Sequence, residues 1–226
     1  DPTDKNESRF LTQARHKILL INGQITEHTD KIKGQLNIGK KVLVVCNAVK
    51  RAQEMYKGLK PYAKLPRLIH GRFIVADRER IEREISSADL LIGTQVIEVS
   101  LNFDFDVIFT EPAPIDALLQ RLGRVNRFGK HKDPAPAYVF RNGSEADEYI
   151  YEDQDRVRKT INLLPNGEPL TNKSASELVE ELYAGGYNEK ERREYEQAYR
   201  DFDFVVHNLP IFDESEFKEQ FFDLIK

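Results

Sequence analysis

Tryptophan is absent from the 226 residues, and cysteine and methionine occur once each. A single thiol, Cys46, excludes an intrachain disulfide framework, and its place in an apolar run marks it as a core residue rather than a nucleophile. No apolar stretch approaches the ~18 residues of a membrane span, so no membrane segment is expected. No G-x-x-x-x-G-K-[ST] loop cradles phosphates, and no D-E-x-[DH] box holds a metal. The five histidines, His16, His28, His70, His131 and His207, lack ligand spacing such as H-x-x-x-H, so no metal site is expected from them. These absences exclude a self-contained phosphate-loop nucleotide hydrolase and a histidine-built metal centre. The first residues, Asp1-Pro2-Thr3-Asp4, carry neither an initiator methionine nor a signal-peptide pattern, which reads as a segment excised from a longer, soluble, cytoplasmic protein.

Charge is unevenly spread. Residues 1–144 hold 24 Lys and Arg against 17 Asp and Glu, a net of +7, whereas residues 145–226 hold 10 against 21, a net of -11. A basic first part suits a phosphate backbone. The acidic remainder suits protein or solvent, although a charge run is by default a solvated face.

Short β-rich apolar runs at 17–21, 42–46, 65–69, 90–92, 107–109 and 138–140 alternate with helical patterns at 49–59, 77–85 and 116–127. That alternation is an α/β signature with a mainly parallel sheet flanked by helices. Asp116, after Pro112 and Pro114, is the expected helix cap. Beyond residue 143 the pattern turns helical, at 147–164, 174–183 and 189–199, giving a two-part reading: 1–143 as the α/β domain and 144–226 as an acidic helical extension. Ligands of such sheets bind at the carboxyl ends of strands, and His70, Arg72, Thr94, Gln95 and Asn102 all follow strands.

The richest stretch is Gln120-Arg121-Leu122-Gly123-Arg124-Val125-Asn126-Arg127. At ~100° per residue on a helix, Gln120, Arg124 and Arg127 share one face, while Leu118, Leu122 and Val125 share the opposite one. An amide and two guanidiniums on one face suit a polyanion, since positioned arginines stabilise charge developing in phosphoryl transfer. The alternative is a solvated arginine face on an ordinary amphipathic helix.

This Q-x-x-G-R-x-x-R stretch resembles motif VI of the superfamily 2 helicases, and the strand-loop T-Q-V-x-E-x-S-L from Thr94 resembles motif V. The C-N-x-V-x-x-A-Q junction from Cys46 and the H-x-R-F segment from His70 resemble motifs IV and IVa. Their wording is most similar to the CRISPR-associated helicase of type I interference systems. The resemblance spans residues 42–127 and fades after about residue 140.

It implies a second RecA-like lobe, with the first lobe and any HD nuclease, fused or separate, supplied elsewhere. It further implies that ATP binds between the lobes with Mg²⁺ held mainly by the first, and that single-stranded DNA and the CRISPR surveillance complex are partners, with no membrane. By position, Arg124 and Arg127 become arginine fingers and Gln120 contacts phosphate or the partner lobe. Gly123, Asn102 and Asp104 fall at the nucleotide, Asn102 standing where aspartate is more usual. Arg72, Thr94, Asn47 and His70 match positions that touch the DNA backbone. Two other readings stay open: an RNA helicase lobe, against which Gln120 in place of histidine counts, and an ATP-independent nucleic-acid-binding or protein-docking module. The lobe alone is expected to lack ATPase activity.

Overall fold

Three strands are apolar but for a closing threonine and are buried throughout: Val42–Val45 (β2), Leu90–Gly93 (β4) and Val107–Thr110 (β5). Continuous burial on both faces is the mark of a parallel sheet covered by helices. The computed structural model describes residues 10–72, 84–98, 103–129, 133–144, 147, 149–186 and 188–208. Its sheet adds Ala14–Ile21 (β1), Pro66–Ile69 (β3), Ala135–Phe140 (β6) and Pro169–Thr171 (β7), in the order β3-β4-β2-β5-β6-β1-β7. Every pairing is parallel except β1 with β7. All six sequence-predicted strands are present, in the mainly parallel arrangement expected of a RecA-like α/β fold.

Helix α1 (Thr29–Asn37) escapes the sequence reading, having only Ile32 and Leu36 buried and a glycine between them. Helix α2 (Val49–Leu59) sits where its pattern placed it, burying Ala52, Met55 and Leu59. Both contribute to one apolar cluster with Val42 and Val44 of β2 and with Cys46 just beyond it. Cys46 is fully buried, and burial raises its thiol well above the usual range, which suits packing rather than chemistry. The helix expected at 77–85 lies mostly outside the described residues.

Helix α3 (Ile115–Leu122) starts one residue before the expected cap and stops five residues early. Pro114 takes the cap position, and Asp116 lies in the first turn, where its charge complements the helix dipole. After residue 143 come α4 (Gln154–Leu163), α5 (Asn172–Tyr183) and α6 (Glu189–Asn208). Asp147 and Tyr151 precede α4 rather than lying within it, and Asp153 caps it by accepting from the Arg156 N–H.

The chain divides into two units, Asp1–Leu182 and Tyr183–Lys226. The change of charge at residue 144 therefore falls inside the first unit, because β7 completes the sheet against β1. Within the second unit, α6 is 20 residues long. Among the described residues no helix is long and apolar enough to cross a membrane.

Candidate functional site

The carboxyl ends of the parallel strands share one edge, where the structure places the expected backbone-contacting residues. His70 follows β3, Thr94 follows β4 and Asn47 lies just beyond β2, so these three neighbours in the sheet do come together. Yet Asn47 is only 2% exposed, and His70 and Thr94 are also buried. Both amide hydrogens of Asn47 have acceptors, the Pro112 carbonyl at 2.9 Å and Asp147 Oδ2 at 2.8 Å, so its side chain works inside the fold. His70 Nδ1 accepts from the Arg72 N–H at 3.3 Å, and burial holds the imidazole below its usual pKa, with the Arg72 charge acting in the same direction. Of the four, Arg72 alone is exposed. Gly93 is needed at the end of β4, because an added Cβ would lie 2.6 Å from Ile97 Cδ1, which packs back onto the strand from the short turn Gln95–Ile97.

The arginine stretch is half helix, half turn. Gln120 stays on α3 and is exposed; Gly123 caps the helix, also exposed, with its own turn's carbonyls the nearest atoms to an added Cβ. Arg124 and Arg127 lie beyond the helix, so the shared helical face expected for them with Gln120 does not exist.

What brings the two arginines together is a laced turn. Asn126 adopts φ +45, a left-handed conformation that asparagine tolerates better than most residues. Phe105 and Val125 form a parallel bridge, Phe105 N–H donating to the Arg124 carbonyl and Asn126 N–H to the Phe105 carbonyl. Asp104 Oδ1 accepts from the Arg127 N–H at 2.8 Å. From β1, Arg15 Nη1 donates to the Arg127 carbonyl at 2.8 Å and His16 Nε2 to the Val125 carbonyl at 2.7 Å. Asn126 Nδ2 returns a bond to the Arg15 carbonyl at 3.2 Å. His16 is buried, and burial lowers its pKa, so the imidazole that holds the turn is neutral.

Arg124 reaches back to the short turn after β4, donating from Nε to the Ile97 carbonyl at 3.0 Å and from Nη2 to the Glu98 carbonyl at 2.6 Å. Burial lowers the pKa of this guanidinium, and the nearby positive charge of Arg127 lowers it further. Asp104 thus serves the backbone of the arginine turn. Asn102 lies outside the described residues.

Sequence reasoning missed Arg121, the largest fully buried side chain among the described residues. Its Nε donates to Glu98 Oε1 at 2.9 Å, and its Nη1 to Thr110 Oγ1 at 2.8 Å and the Glu111 carbonyl at 3.2 Å. Its Nη2 donates to Asn47 Oδ1 at 3.0 Å and Tyr151 Oη at 2.7 Å. Glu111, wholly buried, accepts from the Asn47 N–H and from Arg51, while burial pushes its carboxyl pKa up. Burial likewise pushes the Tyr151 phenol up to about 12, so it stays protonated. Beside this network a cleft of about 380 Å³ is lined by residues including Arg141, Asn142, Asp147, Tyr151 and Arg158. Among the described residues no group of three or more His, Cys, Asp or Glu side chains could hold a metal ion.

Comparison with known proteins matches residues 38–130 to the family described as "CRISPR-associated nuclease/helicase Cas3, C-terminal". A "CRISPR-associated helicase Cas3" of Thermoproteus tenax is 34% identical over 119 residues, covering 50% of this chain and 20% of that protein. A "CRISPR-associated nuclease/helicase Cas3" of Streptococcus thermophilus is 34% identical over 149 residues, covering 60% of this chain and 16% of the relative. The chain therefore spans a fifth or less of these relatives. Among solved structures, T. fusca Cas3 with ADP aligns over 76% of this chain and 24% of its own, with a TM-score of 0.67 at 21% identity. At that identity the likeness concerns the fold.

Proposed function

We propose, from the match of residues 38–130 to the family described as "CRISPR-associated nuclease/helicase Cas3, C-terminal", that this chain is the second motor lobe of an ATP-dependent single-stranded-DNA translocase. In this reading Arg124 and Arg127 are the arginine fingers. The observation that carries it is the laced turn: hydrogen bonds fix the Arg127 backbone beside Arg124, whose pKa is lowered by burial first and by the Arg127 charge second. Two positioned arginines on one turn suit a polyanion, and a triphosphate is such a group. The exposed Gln120 and Gly123 border the same turn and would approach the nucleotide or the opposing lobe.

ATP supplies the transferred phosphoryl group; this chain's residues orient and stabilise its developing charge and have no proton to move. Mg²⁺ is assigned mainly to the first lobe, together with the phosphate loop that this sequence lacks. The DNA path is assigned to the carboxyl edge of β3, β4 and β2, with exposed Arg72 as the backbone contact. His70, Thr94 and Asn47 shape that edge from beneath. An HD nuclease and the surveillance complex are the partners in this reading.

The test is the DNA-stimulated ATPase of the two-lobed enzyme. Arg124→Ala or Arg127→Ala is expected to lower kcat by on the order of 10³ with DNA affinity nearly unchanged. A loss confined to DNA binding would reassign the arginines as backbone contacts and refute the finger reading. Submicromolar ATP binding or multiple-turnover hydrolysis by this chain alone would refute the division of labour between lobes.

A further inference from the structure

We propose that Arg121, Glu98 and Tyr151 are positioning residues for Arg124, coupling the loop after β4 to the arginine turn. The proposal rests on the reading of Arg124 as a finger. Its geometric basis is that Glu98 is gripped twice: its carboxylate accepts from Arg121 Nε at 2.9 Å, and its carbonyl accepts from Arg124 Nη2 at 2.6 Å. Any displacement of Glu98 is therefore transmitted to the Arg124 guanidinium. Arg121 fixes Glu98 against the ends of two central strands, because its other donors reach Thr110 and the Glu111 carbonyl after β5 and Asn47 after β2.

The fifth partner comes from outside the family match. Tyr151 precedes α4, lies beyond residue 130, and accepts from Arg121 Nη2 at 2.7 Å. The segment after the motifs thereby becomes a strut for them. A wholly buried guanidinium is seldom the most stable filling for a core, since hydrophobic residues of similar volume do as well or better. A polar hub at this point is explained by what it aligns: the β4 loop, which in the proposed function borders the DNA path, and the turn that meets ATP.

Two measurements test this. In the present chain, Glu98→Gln and Tyr151→Phe should speed solvent exchange of the Arg124 Nε–H, read by NMR, because the carbonyls that restrain it are loosened. In the two-lobed enzyme, Tyr151→Phe removes one hydroxyl and keeps the ring, and should lower DNA-stimulated kcat roughly three- to tenfold, the kinetic equivalent of one lost hydrogen bond. KM for ATP and single-strand affinity should stay near the parental values. In an Arg124→Lys background the same substitution should cost little further, because residues acting through one group are non-additive. A purely structural role would lower both backgrounds by the same factor, and that result overturns the proposal, as does unchanged exchange together with unchanged kcat. If Arg124→Ala itself leaves kcat intact, the finger reading fails and the positioning proposal falls with it. Loss in Arg124→Ala with none in Tyr151→Phe or Glu98→Gln refutes the positioning alone.

Discussion

Replacing Asn126 by alanine and by glycine separates the two things this residue does for the arginine turn. Its backbone sits at φ +45, and its side chain, only 2% exposed, donates to the Arg15 carbonyl at 3.2 Å. Alanine in the left-handed region costs about 1–2 kcal/mol, and leaving the Arg15 carbonyl without this donor costs about 1–3 kcal/mol. Asn126→Ala should therefore lose about 3 kcal/mol. Asn126→Gly forfeits the same hydrogen bond, accepts the backbone freely, and adds about 0.5–1 kcal/mol of unfolded-chain entropy. Glycine should thus be the milder change, by roughly 0.5–1 kcal/mol, reversing the order found in a helix. Urea unfolding followed by far-ultraviolet circular dichroism gives both values, with a thermal shift of roughly 2–4 °C per kcal/mol as a second readout. Should alanine prove as stable as glycine, the turn does not hold its left-handed residue, and its preorganisation of Arg124 and Arg127 is refuted.

Arg121→Met should destabilise the first unit by about 3–5 kcal/mol, because Glu98 and the surrounding acceptors lose their buried partner; a loss under 1 kcal/mol in urea titration would contradict the burial of the guanidinium. Gly93→Ala should cost about 1–3 kcal/mol, since Ile97 must move to admit the methyl group, and a neutral result by thermal melting would contradict that packing. His16 has a folded pKa below its unfolded value of about 6.5, so the unfolded chain binds more protons in the window below 6.5 and stability falls as pH drops through it. Urea midpoints at pH 7.5, 6.5 and 5.5 should show that fall, and His16→Gln should flatten it only in part because His70 is shifted the same way. Single-strand binding should weaken with salt, and Arg72→Ala should shallow the slope by roughly 0.7 log units per log unit without altering sequence preference; an unchanged slope would remove Arg72 from the DNA path.

The strands were legible because each central one is a short apolar run that must be buried on both faces. Helix α2 was legible for a different reason, its 3.6-residue spacing of Ala52, Met55 and Leu59. Strand β7 was not, since three residues carry no period, and only pairing across 150 positions of sequence with β1 makes them a strand. The same limit hid the arginine turn: helical periodicity runs smoothly through residue 127, whereas the chain leaves the helix at Gly123, a residue whose helix-ending tendency was outweighed by the pattern around it.

Arg121 could have been found. At ~100° per residue it lies between Ala117 and Leu118 on the helix circumference, in the middle of the buried face that also holds Ile115 and Leu122. A guanidinium on that face must either disrupt the core or collect enough acceptors to replace water. Five acceptors at the ends of β2 and β5, in the β4 loop and ahead of α4 do so here. One octapeptide therefore carries two kinds of arginine, and facial position tells them apart: Arg121 points into the fold and aligns, while Arg124 and Arg127 follow the helix end and are partly exposed. Counting arginines in the motif treats them alike; asking which face each occupies, and where the helix must stop, assigns them different work.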